Sequence, residues 1–217
     1  MTKATKDTIK AVIVLFIIAL VCVALLAVAN VFLKTVPTLD SATASKINTI
    51  APSGVDDATA FSEGYFKLYS EEELASAGFD LKAFNKEKGN ATNKVTAVYR
   101  VVKGQNAGAF IVESTGKGYY DITMLTAFDE EGKISGVIAK TQTEDKFSGQ
   151  IFNEDKFELF KQSVIGKSEL PSDSELNAVT GATTMSSMRG LRQAVTIATV
   201  VIPRLNSVAD ALEVENE

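Results

Sequence analysis

The sequence predicts an α+β protein: a single N-terminal transmembrane helix followed by an antiparallel-sheet domain with helices packed against it. Three observations predict it. Residues 11–33 form an uncharged apolar run. Four runs rich in β-branched and apolar residues lie between residues 95 and 141, joined by turns too short for parallel crossovers. Two segments after residue 154 carry apolar residues at helical spacing.

The apolar run, Ala11–Leu33, has Asn30 as its one strongly polar side chain. At about 1.5 Å per residue it is long enough to cross a hydrocarbon core of about 30 Å. A cleaved signal peptide is the alternative, because Ala27-Val28-Ala29 has the small-x-small form of a cleavage site. The apolar part of such peptides is shorter, about 7–15 residues, which favours a retained span. Cys22 follows Val21 in mid-run, where a lipoprotein would carry a small residue. Lys3, Lys6 and Lys10 precede the run and only Lys34 closely follows it. The positive-inside rule then puts residues 1–10 in the cytoplasm and the domain on the periplasmic or extracellular side of the cytoplasmic membrane.

Residues 34–60, rich in Thr, Ser, Ala and Pro, read as a juxtamembrane stalk with a short helix at 42–50. The folded domain is expected over 61–205, and 206–217 as a frayed acidic tail. Within the domain, Glu71–Ala77 reads as a helical turn and Asn85–Asn93 as a polar loop. The strands are expected at Val95–Val102, Ala109–Glu113, Tyr119–Phe128 and Ile134–Thr141, with Gly116-Lys117-Gly118 breaking the chain. Asp155–Ile165 places Phe157, Phe160 and Val164 on one helical face before Gly166. Ser186–Val201 does the same with Met188, Leu191, Val195 and Ala198, and Pro203 is expected to end it.

Composition narrows the chemistry. The chain has no His and one Cys, which excludes disulfide frameworks, Cys-ligated zinc, iron–sulfur clusters, His metal sites and Ser–His or Cys–His catalysis within it. Any redox chemistry must come from a cofactor. The net charge is −5. From residue 35 onward, 18 basic and 26 acidic residues leave −8, which argues against nucleic-acid binding.

The stretch Asn177–Ser187 is a run of small residues and hydroxyls leading into the last helix. Gly181 and Ala182 let the backbone approach a ligand, and the helix N-terminus favours a phosphate. Thr180, Thr183, Thr184, Ser186 and Ser187 are able to bind phosphate oxygens; equally, Thr183 or Ser186 serves simply as an N-cap. Both readings stand on the residues alone.

Thr180-Gly181-Ala182-Thr183 resembles the Ser/Thr-Gly-Ala-Thr flavinylation motif of the FMN-binding domain family. In that family a flavin transferase joins the FMN phosphate to the hydroxyl of the final threonine, here Thr183. One span, an external domain and the motif near the C-terminus together look like the G subunits of Rnf complexes. The fit to the C subunits of the sodium-pumping NADH:quinone reductase is lower.

Gly116–Tyr120 is similar to a family segment ahead of a strand, and Gln142-Thr143 falls where the family has Glu-Thr. Two departures stand out: Asn177 occupies the position of a usual Asp, and Glu144-Asp145 that of a usual Pro-Gly. The resemblance implies a covalent FMN cofactor on Thr183, held with Thr180, Gly181, Ala182, Thr184, Ser186, Gln142, Thr143, Tyr119 and Tyr120. The implied role is that of an electron carrier, not catalytic alone, in a translocase that couples electron flow between ferredoxin and NAD to Na+ or H+ movement. The implied partners are the other membrane subunits and a flavin transferase. A stand-alone extracellular flavoprotein, or a non-redox tethered binding module, are the other readings.

Tyr119, Tyr120, Phe128 and Phe147 are candidates to stack on the flavin ring, with core or rim packing as the alternative. Lys117 is a candidate phosphate partner or an exposed lysine. Asp155 and Glu158 read as a solvated face, and Asn90-Ala91-Thr92 has the form of a glycosylation acceptor.

Overall fold

A computed structural model of the chain describes residues 12, 15–16, 18–23, 38–143, 151–152, 154–180 and 185–213. The chain forms two compact units, Met1–Thr38 and Leu39–Glu217. In the first, the described residues up to 23 are helical with exposed side chains, Leu15 and Phe16 among them. Most of the predicted span 11–33 lies outside the described residues. Among the described residues, no helix is long and apolar enough to cross a membrane.

The second unit opens with α1 (Ser41–Ile50), started by Asp40, whose carboxylate accepts from Thr43 N–H at 2.8 Å. Asp56 likewise caps α2 (Asp57–Ser62). After β1 (Phe66–Tyr69) come α3 (Glu71–Ser76), closed by a Ser70/Glu73 capping box, and α4 (Leu81–Lys88). Strands β2 (Lys94–Val101), β3 (Phe110–Lys117), β4 (Asp121–Phe128) and β5 (Ile134–Thr141) follow. The chain ends in α5 (Glu154–Val164), α6 (Asp173–Thr180), α7 (Met185–Asn206) and α8 (Ala209–Glu213). The five strands form an antiparallel meander in the order β1-β2-β3-β4-β5. The α+β architecture and the short antiparallel connections are as expected.

Helices cover both faces of the sheet. Val98, Val112, Ile122 and Met124 pack on one side with Leu191, Ala194, Val195 and Ala198 of α7. Tyr99, Ile111, Leu125 and Ala127 face the other way, against Ala44 and Ile47 of α1. The burial of both faces explains why β4 is nearly continuously apolar rather than cleanly alternating.

Several expectations are corrected. Residues 39–60 are not a stalk: α1 and α2 are a layer of the domain, with Ala44, Ile47 and Ala60 fully buried. The short apolar spacing of Ala44, Ile47 and Ala51 was hidden among Thr and Ser. The loop expected at 85–93 is helical as far as Lys88, because Leu81 and Phe84 anchor α4 in the core. Strand β1 was not foreseen, and β3 continues through Gly116 to Lys117.

Pro203 does not end the last helix. Its ring costs about 3 kcal/mol, but it is exposed, and the burial of Ile202 and Leu205 beside it, about 1.5–3 kcal/mol each, outweighs that. The tail is docked as far as Glu213: Arg100, 6 % exposed, donates from Nη1 to the Ala209 carbonyl at 3.0 Å and pairs with Glu213 at 2.6 Å. Leu212 is buried beneath it.

Candidate functional site

Strand register fixes which sequence segments share one end of the sheet. Lys117 pairs with Asp121, so Gly118-Tyr119-Tyr120 form the tip of the β3–β4 hairpin. The turn is closed by Gly118 N–H donating to Tyr120 O at 3.0 Å. Thr123 pairs with Thr141, so Gln142 and Thr143 leave β5 at the same end. Gln142 is half-buried and Thr143 exposed.

Helix α7 brings in the third segment. It runs antiparallel to β3: Gly190 lies over Gly116–Gly118, and the Ala194 carbonyl accepts from the buried Ser114 hydroxyl at 2.7 Å. Its N-terminus therefore points beyond the hairpin tip. Orphan N–H groups of the first turn and the positive dipole end suit an anion at this position.

Helix α6 fixes the other flank of the motif. Ser172 and Glu175 cap its start, with Ser172 N–H donating to Glu175 Oε2 at 2.8 Å and the hydroxyl at 2.6 Å. The Ser172 hydroxyl, followed by its backbone N–H, holds the Glu175 carboxyl below its usual range. Arg192 of α7 donates to the Pro171 carbonyl at 3.2 Å and pairs with Asp173, tying α6 to α7. Leu176 is fully buried in the core below.

The residues expected at the site divide as follows. Tyr119 and Tyr120 lie together at the tip, 57 % and 42 % exposed, beside the end of β5 that carries Gln142 and Thr143. Thr180 is not in a loop: it is the last residue of α6, 2 % exposed, and its hydroxyl donates to the Leu176 carbonyl at 2.7 Å. Helix formation by residues 173–180, driven by the capping box and by Leu176, displaced the loop expected there. Gly181, Ala182, Thr183 and Thr184 lie outside the described residues, as do Glu144, Asp145 and Phe147. Ser186 lies in the first turn of α7.

Asn177 is an exposed position of α6. Phe128 is a core residue, 1 % exposed, and does not reach the tip. Lys117 pairs with Asp121 at 2.9 Å across the hairpin. Among the described residues there is no group of three or more acidic or sulfur ligands able to hold a metal.

Sequence reasoning missed Gly190 and Arg192, and it counted Ser187 among the phosphate-binding hydroxyls. Ser187 is fully buried in the first turn of α7. A glycine inside a strongly periodic helix was the available signal for Gly190, since such a residue marks close backbone approach.

An exposed aromatic tip, a polar strand end and a helix N-terminus joined to a hydroxyl-rich segment define a site suited to a flat, phosphate-bearing cofactor. Residues 118–199 match the FMN-binding domain family. The matched region begins at the hairpin tip and ends within α7, and so takes in every segment that meets at this end of the sheet. Comparison of the chain with curated proteins gives no match.

Proposed function

We propose that FMN is joined through a phosphoester to Thr183 and that the protein is the electron-carrier subunit of an Rnf-type complex. The observation that carries the reading is the meeting of the hairpin tip 118–120, the end of β5 and the N-terminus of α7 at one edge of a domain matched to the FMN-binding family. Bound FMN would supply one-electron redox chemistry, which no side chain of this chain provides.

The protein's own parts have separable tasks. The first turn of α7 would offer N–H donors to the phosphodiester, which keeps one negative charge after attachment. Tyr119 and Tyr120 would stack against the ring, and Gln142 and Thr143 would bond its polar edge. The apolar run 11–33 would hold the domain at the outer face of the cytoplasmic membrane, next to the membrane subunits of the complex. A flavin transferase would load it there.

The test is expression of the chain with a flavin transferase, followed by a denaturing gel imaged for flavin fluorescence. Wild type should glow and Thr183→Ala should be dark, with its fold intact because a lost cap costs only about 1 kcal/mol. Thr183→Ser keeps the hydroxyl and should load in part. Fluorescence that persists in the alanine variant would move the attachment elsewhere. Copurification of the loaded chain with membrane redox subunits tests the Rnf assignment.

A further inference from the structure

On the reading that Thr183 carries the flavin, we infer that Gly190 and Gly116 are positioning residues. Their backbone contact sets how far the N-terminus of α7 projects past the β3–β4 tip, and with it the extent of flavin loading.

The contact leaves no room for a side chain on either partner. A Cβ on Gly190 would lie 2.5 Å from Gly118 N, 2.7 Å from the Lys117 carbonyl carbon and 2.9 Å from Gly118 Cα. A Cβ on Gly116 would overlap the Gly190 carbonyl oxygen and lie 2.9 Å from Ala194 N. All of these neighbours are main chain, which does not swing aside as a flexible side chain does.

Neither glycine is explained by a turn. Both lie inside regular elements, Gly116 in β3 and Gly190 in α7, and neither has a positive φ. A glycine in a helix interior costs about 0.5–1 kcal/mol relative to alanine. The close crossing is what the two glycines provide in return. One helical turn further on, Ser114 bonds the Ala194 carbonyl, so the helix is held along β3 while the glycines fix its depth at the site end.

The three atoms nearest an added Cβ at Gly190 all belong to the main chain of Lys117 and Gly118 at the hairpin tip. The tip must yield, and Gly118-Tyr119-Tyr120 then shift relative to the start of α7. A misplacement on the order of 1 Å costs about 10²-fold where geometry governs a transfer.

The experiment compares flavin loading per folded molecule in the full chain, coexpressed with a flavin transferase. It uses wild type, Gly190→Ala, Gly116→Ala and Ser114→Ala, with folded fraction read by circular dichroism. Ser114→Ala weakens the α7–β3 packing without filling the crossing and should load as wild type. Gly190→Ala should load at about a tenth of wild type or less while folded, by the same positional argument. Gly116→Ala fills the same crossing from the strand side, and its folded fraction should also lose loading. Wild-type loading in either folded glycine variant overturns the inference, as does a parallel loss in Ser114→Ala. An unloaded wild-type chain would instead overturn the Thr183 reading on which it rests.

Discussion

Arg100 shows how one residue closes this domain. It is a cation at 6 % exposure, and its donors reach the Gly108 carbonyl at 3.3 Å, the Ala209 carbonyl at 3.0 Å and the Glu213 carboxylate at 2.6 Å. Its guanidinium also lies over the Phe110 ring, 5.0 Å from the centroid. A buried charge persists only with such partners. The two carbonyls matter more than the carboxylate, because Glu213 is 63 % exposed and its pairing is screened by water. Arg100→Met should therefore lower stability by about 2 kcal/mol, the cost of leaving buried carbonyls unmade. Glu213→Gln should cost less than about 1 kcal/mol. Denaturant unfolding measures the difference, and limited proteolysis should cut after residue 206 in the Arg100 variant first. Equal losses in the two variants would assign the work to the ion pair instead.

At the scale of elements, the N-terminal helices are held by carboxylates that also make them acid-sensitive. The Thr43 hydroxyl, then its N–H, holds Asp40 below the usual 3.8. The Thr59 hydroxyl does the same for Asp56, and the Ser45 hydroxyl, followed by Asn48, for Asp57. Depressed folded-state values mean that these contributions are complete above pH 3.8 and are lost as pH falls through the folded values. Melting temperature should stay level from neutral pH down to about 5 and fall below about 4, with α1 and α2 loosening first by hydrogen exchange. A decline already visible near neutral pH would point to other groups. A helix at 42–50 was legible in sequence, but its Asp40 cap, its burial in the domain and α2 with its Asp56 cap were not. Asp40 and Asp56 each precede a helix, but the helices show only short apolar spacing among Thr and Ser. Strands β2 and β5 were legible because β-branched runs ended at glycine turns. Helix α6 was not, because Asn177–Thr184 lacks apolar periodicity and only Leu176 anchors it. At the site, the motif and the glycines at 116–118 were readable as local signals. Their meeting at one sheet end was not, since it depends on strand register and on the helix crossing at Gly190.

The second unit of the molecule is a sheet covered on both faces, so the position of the domain boundary decides whether it survives truncation. The second unit begins at Leu39, and within it α1 covers Ile111, Leu125 and Ala127. Lys46 of α1 also donates to the Ala139 and Lys140 carbonyls of the edge strand β5, at 3.0 and 2.6 Å. Edge carbonyls left open invite pairing with another chain. A chain starting at Leu39 should fold as a monomer and keep its flavin site, because every element around the hairpin tip and α7 is retained. A chain starting at Phe61, where sequence alone places the domain, loses the layer over one face of the sheet. It exposes apolar side chains whose burial is worth about 1.5–3 kcal/mol each, with no replacement contact. The shorter chain should therefore aggregate, or elute as oligomers that bind a hydrophobic dye, even though its flavin motif is intact. Size-exclusion chromatography of the two chains, each loaded by a flavin transferase, decides it. A monomeric, flavin-bearing chain from Phe61 onward would show that α1 and α2 are dispensable decoration rather than the third layer of the fold.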